Sequence, residues 1–181
     1  MILSIKSMSI IERQINALHA RIVETLRRPD LLSTPSSLRG EMAELHTAAF
    51  RDLAHNDTLP FFRPHFLEIS GGLVTLSRHL DDLVAFLASL KAEERYKLAN
   101  LSDVFIALGG IVELFLCAWA YLGTDMRKAG ETLQGSLARI ARFEDVARDQ
   151  NLGEAVFLAP LTDALYAMDM SLKKLVVLLR P

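Results

Sequence analysis

A long apolar stretch, residues 102–122 (SDVFIALGGIVELFLCAWAYL), constrains the fold of this chain more than any other segment. After Asp103 its only ionisable side chains are Glu113, Cys117 and the weakly acidic Tyr121. An α-helix with this sequence is apolar on every face. We therefore expect a helix over residues 103–122 that other helices surround, or one that lies in lipid.

Three observations favour a helix inside a protein core over a membrane span. At ~1.5 Å per residue the helix is long enough for either. A lone carboxylate such as Glu113 near the middle of a span costs ~2.5 kcal/mol or more in lipid. The basic residues on the two sides, in 91–97 and 127–128, show no useful asymmetry of charge. The rest of the chain also carries apolar stripes, which would have nothing to pack against if this helix lay in a membrane. A membrane span stays as an alternative.

The composition is that of a folded protein without a strong electrostatic field. The chain has 181 residues, of which 51% are apolar and 23% charged, with a net charge of -2. One domain of this length, 1–181, can bury roughly two thirds of its unfolded surface. The small net charge gives no reason to expect nucleic acid or an anionic membrane as a partner. The single cysteine excludes an internal disulfide, and with no evident signal peptide we expect a cytoplasmic protein.

Apolar residues recur at spacings of three and four in five further segments, which is the pattern of helices that pack along one side. These stripes are Met8, Ile11, Ile15, Leu18 and Ile22; Leu38, Met42, Leu45, Ala49 and Leu53; Leu73, Leu76, Leu80, Leu83, Leu87 and Leu90; Met126, Leu133, Leu137, Ile140 and Val146; and Leu161, Leu165, Met168, Leu172, Leu175 and Leu179. No segment shows the alternation of a strand. The sequence thus predicts an all-α bundle of five to six helices around a buried central helix.

Local signals place the boundaries of the first helices. Ser9 and Glu12 form a capping box, which predicts a helix from Ser9 and leaves residues 1–8 as a candidate frayed leader. Two prolines in residues 58–68 (TLPFFRPHFLE) predict a short helical turn there. The third helix is expected to begin after Gly71 and Gly72.

Four residues of the central stretch form the candidate ligand or buried-polar site: Glu113, Cys117, Trp119 and Tyr121. Glu113 has two interpretations. It is either a functional carboxyl with a raised pKa, or a structural residue that pairs with a base, reaches the surface or lies at a subunit interface. Cys117 lies one turn later on the same face and is expected to be an inert thiol.

No motif for catalysis, cofactor binding or metal binding is present. None of the five histidines has a His or Glu at the three- or four-residue spacing of a helical metal site in a recognisable motif. The glycine pairs at 71–72 and 109–110 fit no phosphate-binding pattern, and a pair within an apolar helix is typical of close backbone approach. We therefore predict no catalytic, cofactor or metal residues and no enzyme activity.

The apolar stripes together offer more hydrophobic surface than one small bundle needs, which favours an interaction protein. The main hypothesis is a non-enzymatic regulatory, adaptor or scaffold protein that packs by its helices against itself or another helical protein, with the first or the last helix as the docking surface. Two alternatives stay open. One is a binder of a small apolar ligand held between helices near Glu113, Trp119 and Tyr121; the other is a membrane-associated protein that uses 103–122 as a span.

Overall fold

The computed structural model of the chain describes residues 5–27, 38–55, 61–90, 101–150, 152 and 156–179. In these ranges the backbone forms helices and contains no strand. The helices are α1 (Ile5–Arg27), α2 (Leu38–His55), α3 (Arg63–Ser89), α4 (Leu101–Leu122), α5 (Met126–Gln134), α6 (Ser136–Asp149) and α7 (Leu158–Leu179). Only Gly135 separates α5 from α6, so the two count as one bent helix among six. The predicted all-α bundle is confirmed.

Four helices enclose the middle of the core. α1 packs against α4 and α3, and α7 packs against the same two helices from the other side. Each of the four helices sends two apolar side chains to the centre: Leu18 and Ile22, Leu76 and Leu80, Leu108 and Val112, Leu161 and Leu165. The void among these eight side chains has a volume of only about 10 Å³. The centre of the bundle is therefore filled by protein.

The remaining helices lie outside this four-helix core. α2 covers the seam between α1 and α3, whereas α5 and α6 lie over α4 and α7. The bend between α5 and α6 follows Leu133, whose carbonyl oxygen accepts a hydrogen bond from the Gly135 backbone N–H and lies 2.6 Å from the Ser136 hydroxyl oxygen. The Gly135 bond satisfies a carbonyl at the end of α5 and lets α6 turn onto α4.

The apolar stripes that the sequence predicts form most of the core. Every stripe residue of α2 is buried, as are Ile11, Ile15, Leu18 and Ile22 of α1 and the leucines from Leu73 to Leu87 of α3. The stripe from Met126 to Val146 is less regular, because Leu137 is 46% exposed while Leu133 and Ile140 are buried. Because the helix breaks at Gly135, α6 is rotated relative to α5. The apolar positions on the two sides of the break therefore do not lie in one row, as they would in a single continuous helix.

Two helices begin earlier than the sequence signals indicate. α1 starts at Ile5, and Ser7 is buried with its hydroxyl bonded to the Asp52 carboxylate; residues 1–4 lie outside the described ranges. α3 starts at Arg63, so the boundary predicted at Gly71 and Gly72 is wrong. Proline is tolerated in the first turn of a helix because its missing N–H would have no intrahelical partner there.

The apolar helix α4 contacts α1, α5, α6 and α7, but it is buried on one side only. Its inner face consists of Val104, Phe105, Leu108, Gly109, Ile111, Val112, Leu114, Phe115, Ala118, Trp119 and Leu122, all buried. Of the glycine pair, Gly109 is the residue that packs closely against α1, because a Cβ atom on it would lie 3.4 Å from Cγ2 of Ile22. The structure differs from a fully enclosed helix in that the opposite face is open.

Candidate functional site

The open side of α4 is the most unusual surface of the described chain. Its residues recur every three or four positions and so lie in one row along the helix. We call this row the outer face of α4; it consists of Asp103, Ile106, Gly110, Glu113, Cys117, Ala120 and Tyr121, all exposed except the half-buried Gly110. The largest apolar side chains lie near its two ends, Ile106 at 59% exposed and Tyr121 at 37%.

The structure brings three of the four predicted site residues together and separates the fourth. Glu113, Cys117 and Tyr121 follow one another on the outer face, where all three are exposed. Trp119 points the other way, is 1% exposed, and packs edge-on against Phe66 with ring centroids 5.7 Å apart. The four residues therefore do not line a common pocket. The position of Glu113 agrees with the interpretation that places it at the surface or at a subunit interface.

A groove runs beside one end of the outer face, between α4 and α6. It has a volume of about 420 Å³ and opens to solvent. Its lining consists of Asp103, Ile106, Ala107, Gly110, Arg139, Arg142 and Val146. We call it the α4–α6 groove. The three α6 residues are three and four positions apart and thus share one side of that helix. An apolar floor with charged rims can take a group that is partly aromatic or aliphatic and partly polar.

Arg139 links the α4–α6 groove to the middle of the outer face. Its Nη1 donates a hydrogen bond to the backbone carbonyl oxygen of Gly110 at 2.9 Å. In an α-helix that carbonyl points along the axis toward the residue four positions later, here Leu114. The guanidinium of Arg139 therefore lies beside the middle of the outer face, close to the level of Glu113.

The other end of the outer face is held by the turn into α5. Asp125 caps α5, its side chain accepting a hydrogen bond from the Lys128 backbone N–H at 3.0 Å. The Lys128 ammonium then lies 5.6 Å from the centroid of the Tyr121 ring. This cation–π contact supports the tyrosine ring in an exposed position.

Sequence reasoning missed the α4–α6 groove because the groove exists only where two helices distant in sequence meet. Arg139 and Arg142 stand three residues apart in ARIARF, which places both on one side of a helix. That spacing is typical of any solvated helix, so it could not identify α4 as the neighbour. Of the two helices predicted as docking surfaces, α1 has mostly polar exposed positions, among them Lys6, Glu12 and Arg13, whereas α7 exposes Met170 and Val177.

Other kinds of site find little support in the described ranges. No group of three His, Cys, Asp or Glu side chains there could hold a metal ion. By length and composition α4 could cross a membrane, yet 56% of its most apolar window is buried against other helices. Comparison with family models, with curated proteins and with solved structures finds no match to this chain.

Proposed function

We propose that this chain is a non-enzymatic interaction protein of regulatory, adaptor or scaffold type, and that a partner helix packs on the outer face of α4. The observation that carries this proposal is the exposure of one whole side of the most apolar helix in the chain. The outer face is an exposed row of mostly uncharged residues that only Asp103 and Glu113 interrupt, and exposed apolar residues grouped on a folded domain often mark an interaction site.

The arrangement of side chains on the outer face suits helix packing. Gly110, Cys117 and Ala120 are small, and small residues let a second helix approach closely. Ile106 and Tyr121 stand at the ends as larger apolar contacts, and tyrosine is among the residues enriched at the energetic centres of interfaces. Glu113 lies between them and supplies the charge that fixes register and excludes wrong partners.

The tight packing at the centre of the core favours a function at the protein surface. The central void of about 10 Å³ is about the size that one water molecule needs. An apolar ligand therefore has no space among these eight side chains at the centre of the four-helix core. The free thiol of Cys117 is exposed, which is compatible with the reducing cytoplasm that we propose as the location.

The only cysteine of the chain lies on the outer face and reports directly on whether that face is covered. The test measures the rate at which a maleimide labels Cys117 in intact cells of the source organism, in concentrated purified protein and in dilute purified protein. We expect slower labelling in cells than in dilute protein. The matched control is C117A/R13C, which moves the thiol to an exposed polar position of α1 and should be labelled equally fast under all conditions. Equal rates for Cys117 in cells and in dilute protein would contradict the proposal.

A second candidate function is the binding of a small molecule in the α4–α6 groove. The volume of about 420 Å³ lies in the range of ligand sites. Arg139, Arg142 and Asp103 give this groove charged rims, so its ligand is an amphiphile with an anionic group. Native mass spectrometry of the purified chain should then show an added mass that R139E/R142E loses. A spectrum with the bare chain alone would count against this candidate.

A further inference from the structure

The outer face of α4 has matching features at equal distances from its midpoint. Ile106, beside the α4–α6 groove, and Tyr121 are 15 residues apart, which is about 22 Å along a helix. Gly110 and Cys117 lie between them, each about five ångströms from the same midpoint, next to Glu113. A two-fold axis through this midpoint and perpendicular to α4 therefore places each feature opposite its counterpart on a second copy.

The two ends of the outer face have complementary shapes. One end has the α4–α6 groove, and the other has the exposed Tyr121 ring. The two-fold axis brings the Tyr121 ring of each copy to the level of Ile106 in the other copy, where the groove opens. The ring then contacts Ile106 and Val146 on the apolar floor, and Arg142 on the rim supplies a cation–π partner. The same contact forms twice, as closed two-fold symmetry requires.

Small residues occupy the positions where the two helices come closest. Gly110 of one copy lies opposite Cys117 of the other, on both sides of the axis. Glycine has no side chain and that of cysteine is small, so neither residue holds the helices apart. The larger side chains, Ile106 and Tyr121, lie at the ends, beyond the point of closest approach.

The charges at the midpoint determine whether this pairing can form. Two Glu113 carboxylates meet near the axis and repel each other. The guanidinium of Arg139 lies at the same level in each copy, because it is bonded to the Gly110 carbonyl oxygen. Each Arg139 can therefore reach toward Glu113 of the other copy, so that two positive charges offset the two negative ones at the midpoint.

We propose, resting on the proposed function above, that the partner of the outer face is a second copy of this chain. The two α4 helices pack antiparallel, Tyr121 of each copy enters the α4–α6 groove of the other, and Arg139 pairs with the partner's Glu113. The interface consists of one helix and one groove per copy. It is small for a permanent dimer, so the dimer dissociates on dilution.

Disulfide trapping with the single native cysteine tests the direction of the helices. In the antiparallel pair, Cys117 and the partner's Cys117 are seven residues apart along the axis, about 10 Å, which is too far for a disulfide. Wild type should therefore give no covalent dimer on mild oxidation, whereas G110C should give one through two symmetric bonds to the partner's Cys117. A side chain at position 110 has room, since the nearest atom is Nη1 of Arg139 at 3.7 Å. The control G110C/C117A places its cysteines far apart again and should not be trapped.

Charge exchange tests the pairing at the midpoint. By light scattering over a concentration series, E113R and R139E should each weaken the dimer about tenfold, and E113R/R139E should restore it. E41R reverses a charge on an exposed position of α2, away from the outer face, and should leave the dimer unchanged. Circular dichroism shows whether each variant keeps the helical fold, so that a folding defect is not read as a loss of pairing.

The outcomes separate this inference from the proposed function. Covalent dimers of wild type through Cys117 would overturn the antiparallel arrangement and leave the outer face as an interface. A monomer at all concentrations whose Cys117 is still protected in cells would overturn the second copy as partner and leave the proposed function in place. A monomer whose Cys117 is unprotected in cells would overturn both.

Discussion

Trp119 in α4 is bonded to the beginning of α1: its indole Nε1–H donates to the Met8 carbonyl oxygen at 3.1 Å. The ring is buried and packs edge-on against Phe66 of α3. One side chain thus joins three helices, and it does so on the side of α4 opposite to the outer face. The inner face of α4 holds the fold together, and this leaves the outer face free for a partner.

Replacement of Trp119 should weaken the fold rather than the proposed interface. We expect W119F to lower the free energy of unfolding by about 2 kcal/mol, because it removes the bond to Met8 and leaves unfilled space. Urea unfolding followed by circular dichroism measures this change. Y121F on the exposed face is the control and should cost less than about 0.5 kcal/mol. Equal losses for the two variants would show that the Trp119 contacts do not stabilise the bundle.

A buried polar cluster joins α1, α2 and α3. The Ser70 hydroxyl donates to Oε1 of Gln14 at 2.8 Å and lies 3.0 Å from Nδ1 of His46. The Gln14 amide nitrogen reaches the backbone carbonyl oxygens of Met42 and Ser70, each at 3.4 Å. Because the only hydroxyl hydrogen of Ser70 goes to Gln14, Nδ1 of His46 has to be the donor in the third contact.

Removal of the Ser70 hydroxyl should leave the buried Gln14 carbonyl oxygen without its donor. We expect S70A to lower stability by about 1–3 kcal/mol, the cost of an unsatisfied buried polar group. S77A is a close control, since Ser77 is equally buried in the same helix but donates only to the Val74 carbonyl oxygen of its own helix. Thermal unfolding measures the stability of both variants. A smaller loss of stability for S70A than for S77A would contradict the expectation.

Asp169 of α7 is a fully buried carboxylate with two partners. It accepts a hydrogen bond from the Ser136 hydroxyl at 2.5 Å, and the Lys173 ammonium lies 2.7 Å from its other oxygen. We expect K173M to lower stability by about 3 kcal/mol, because it leaves a buried charge uncompensated. D169N/K173M should recover part of the loss. K174M, which removes an exposed neighbour paired loosely with Glu68 at 3.8 Å, should cost less than about 1 kcal/mol in the same urea titration.

Gly71 and Gly72 lie inside α3 and not at its end. Replacement of Gly71 by alanine is therefore expected to stabilise the protein, not to destabilise it. A Cβ atom on Gly71 would have ordinary contact with Cε1 of His46 at 3.8 Å. G71A should therefore raise the melting temperature, with a gain of about 0.5–1 kcal/mol from the lower entropy of the unfolded chain. G109A should gain less or lose stability, because its Cβ would lie only 3.4 Å from Ile22. A destabilised G71A would indicate that the helix is interrupted there after all.

Tyr166 should ionise at a higher pH than an ordinary tyrosine. Burial raises the pKa of Tyr166 above its ordinary value of 10.0; the nearby Glu144 raises it further, and Arg148 opposes the change. The folded state thus favours the neutral phenol, and this contribution to stability is present below the unfolded pKa and is lost as pH rises through the folded one. Ultraviolet absorbance titration of wild type against Y166F should isolate this late transition, and E144Q should move it to lower pH. A Tyr166 transition at or below the ordinary value would contradict this.

The spacing of apolar residues predicted most of the core, because a helix that buries one side needs apolar residues every three or four positions. The leucines from Leu73 to Leu87 and the isoleucines of α1 are buried as their spacing indicates. The same reasoning failed at α4. A helix that is apolar all round carries no periodic signal to show which side is inside, so the sequence left open whether Glu113 lies in the core or at the surface, where the structure places it.

The sequence by itself determined that this chain is helical, where its main apolar segments lie, and which side of most amphipathic helices is buried, because these follow from local spacing. Only the tertiary structure decided which helices are neighbours. Through that choice it placed Trp119 inside and Glu113 outside, continued α3 through Gly71, and set Arg139 beside Gly110 to form the α4–α6 groove. Contacts between segments distant in sequence depend on how whole helices fit together, and no local pattern encodes that fit.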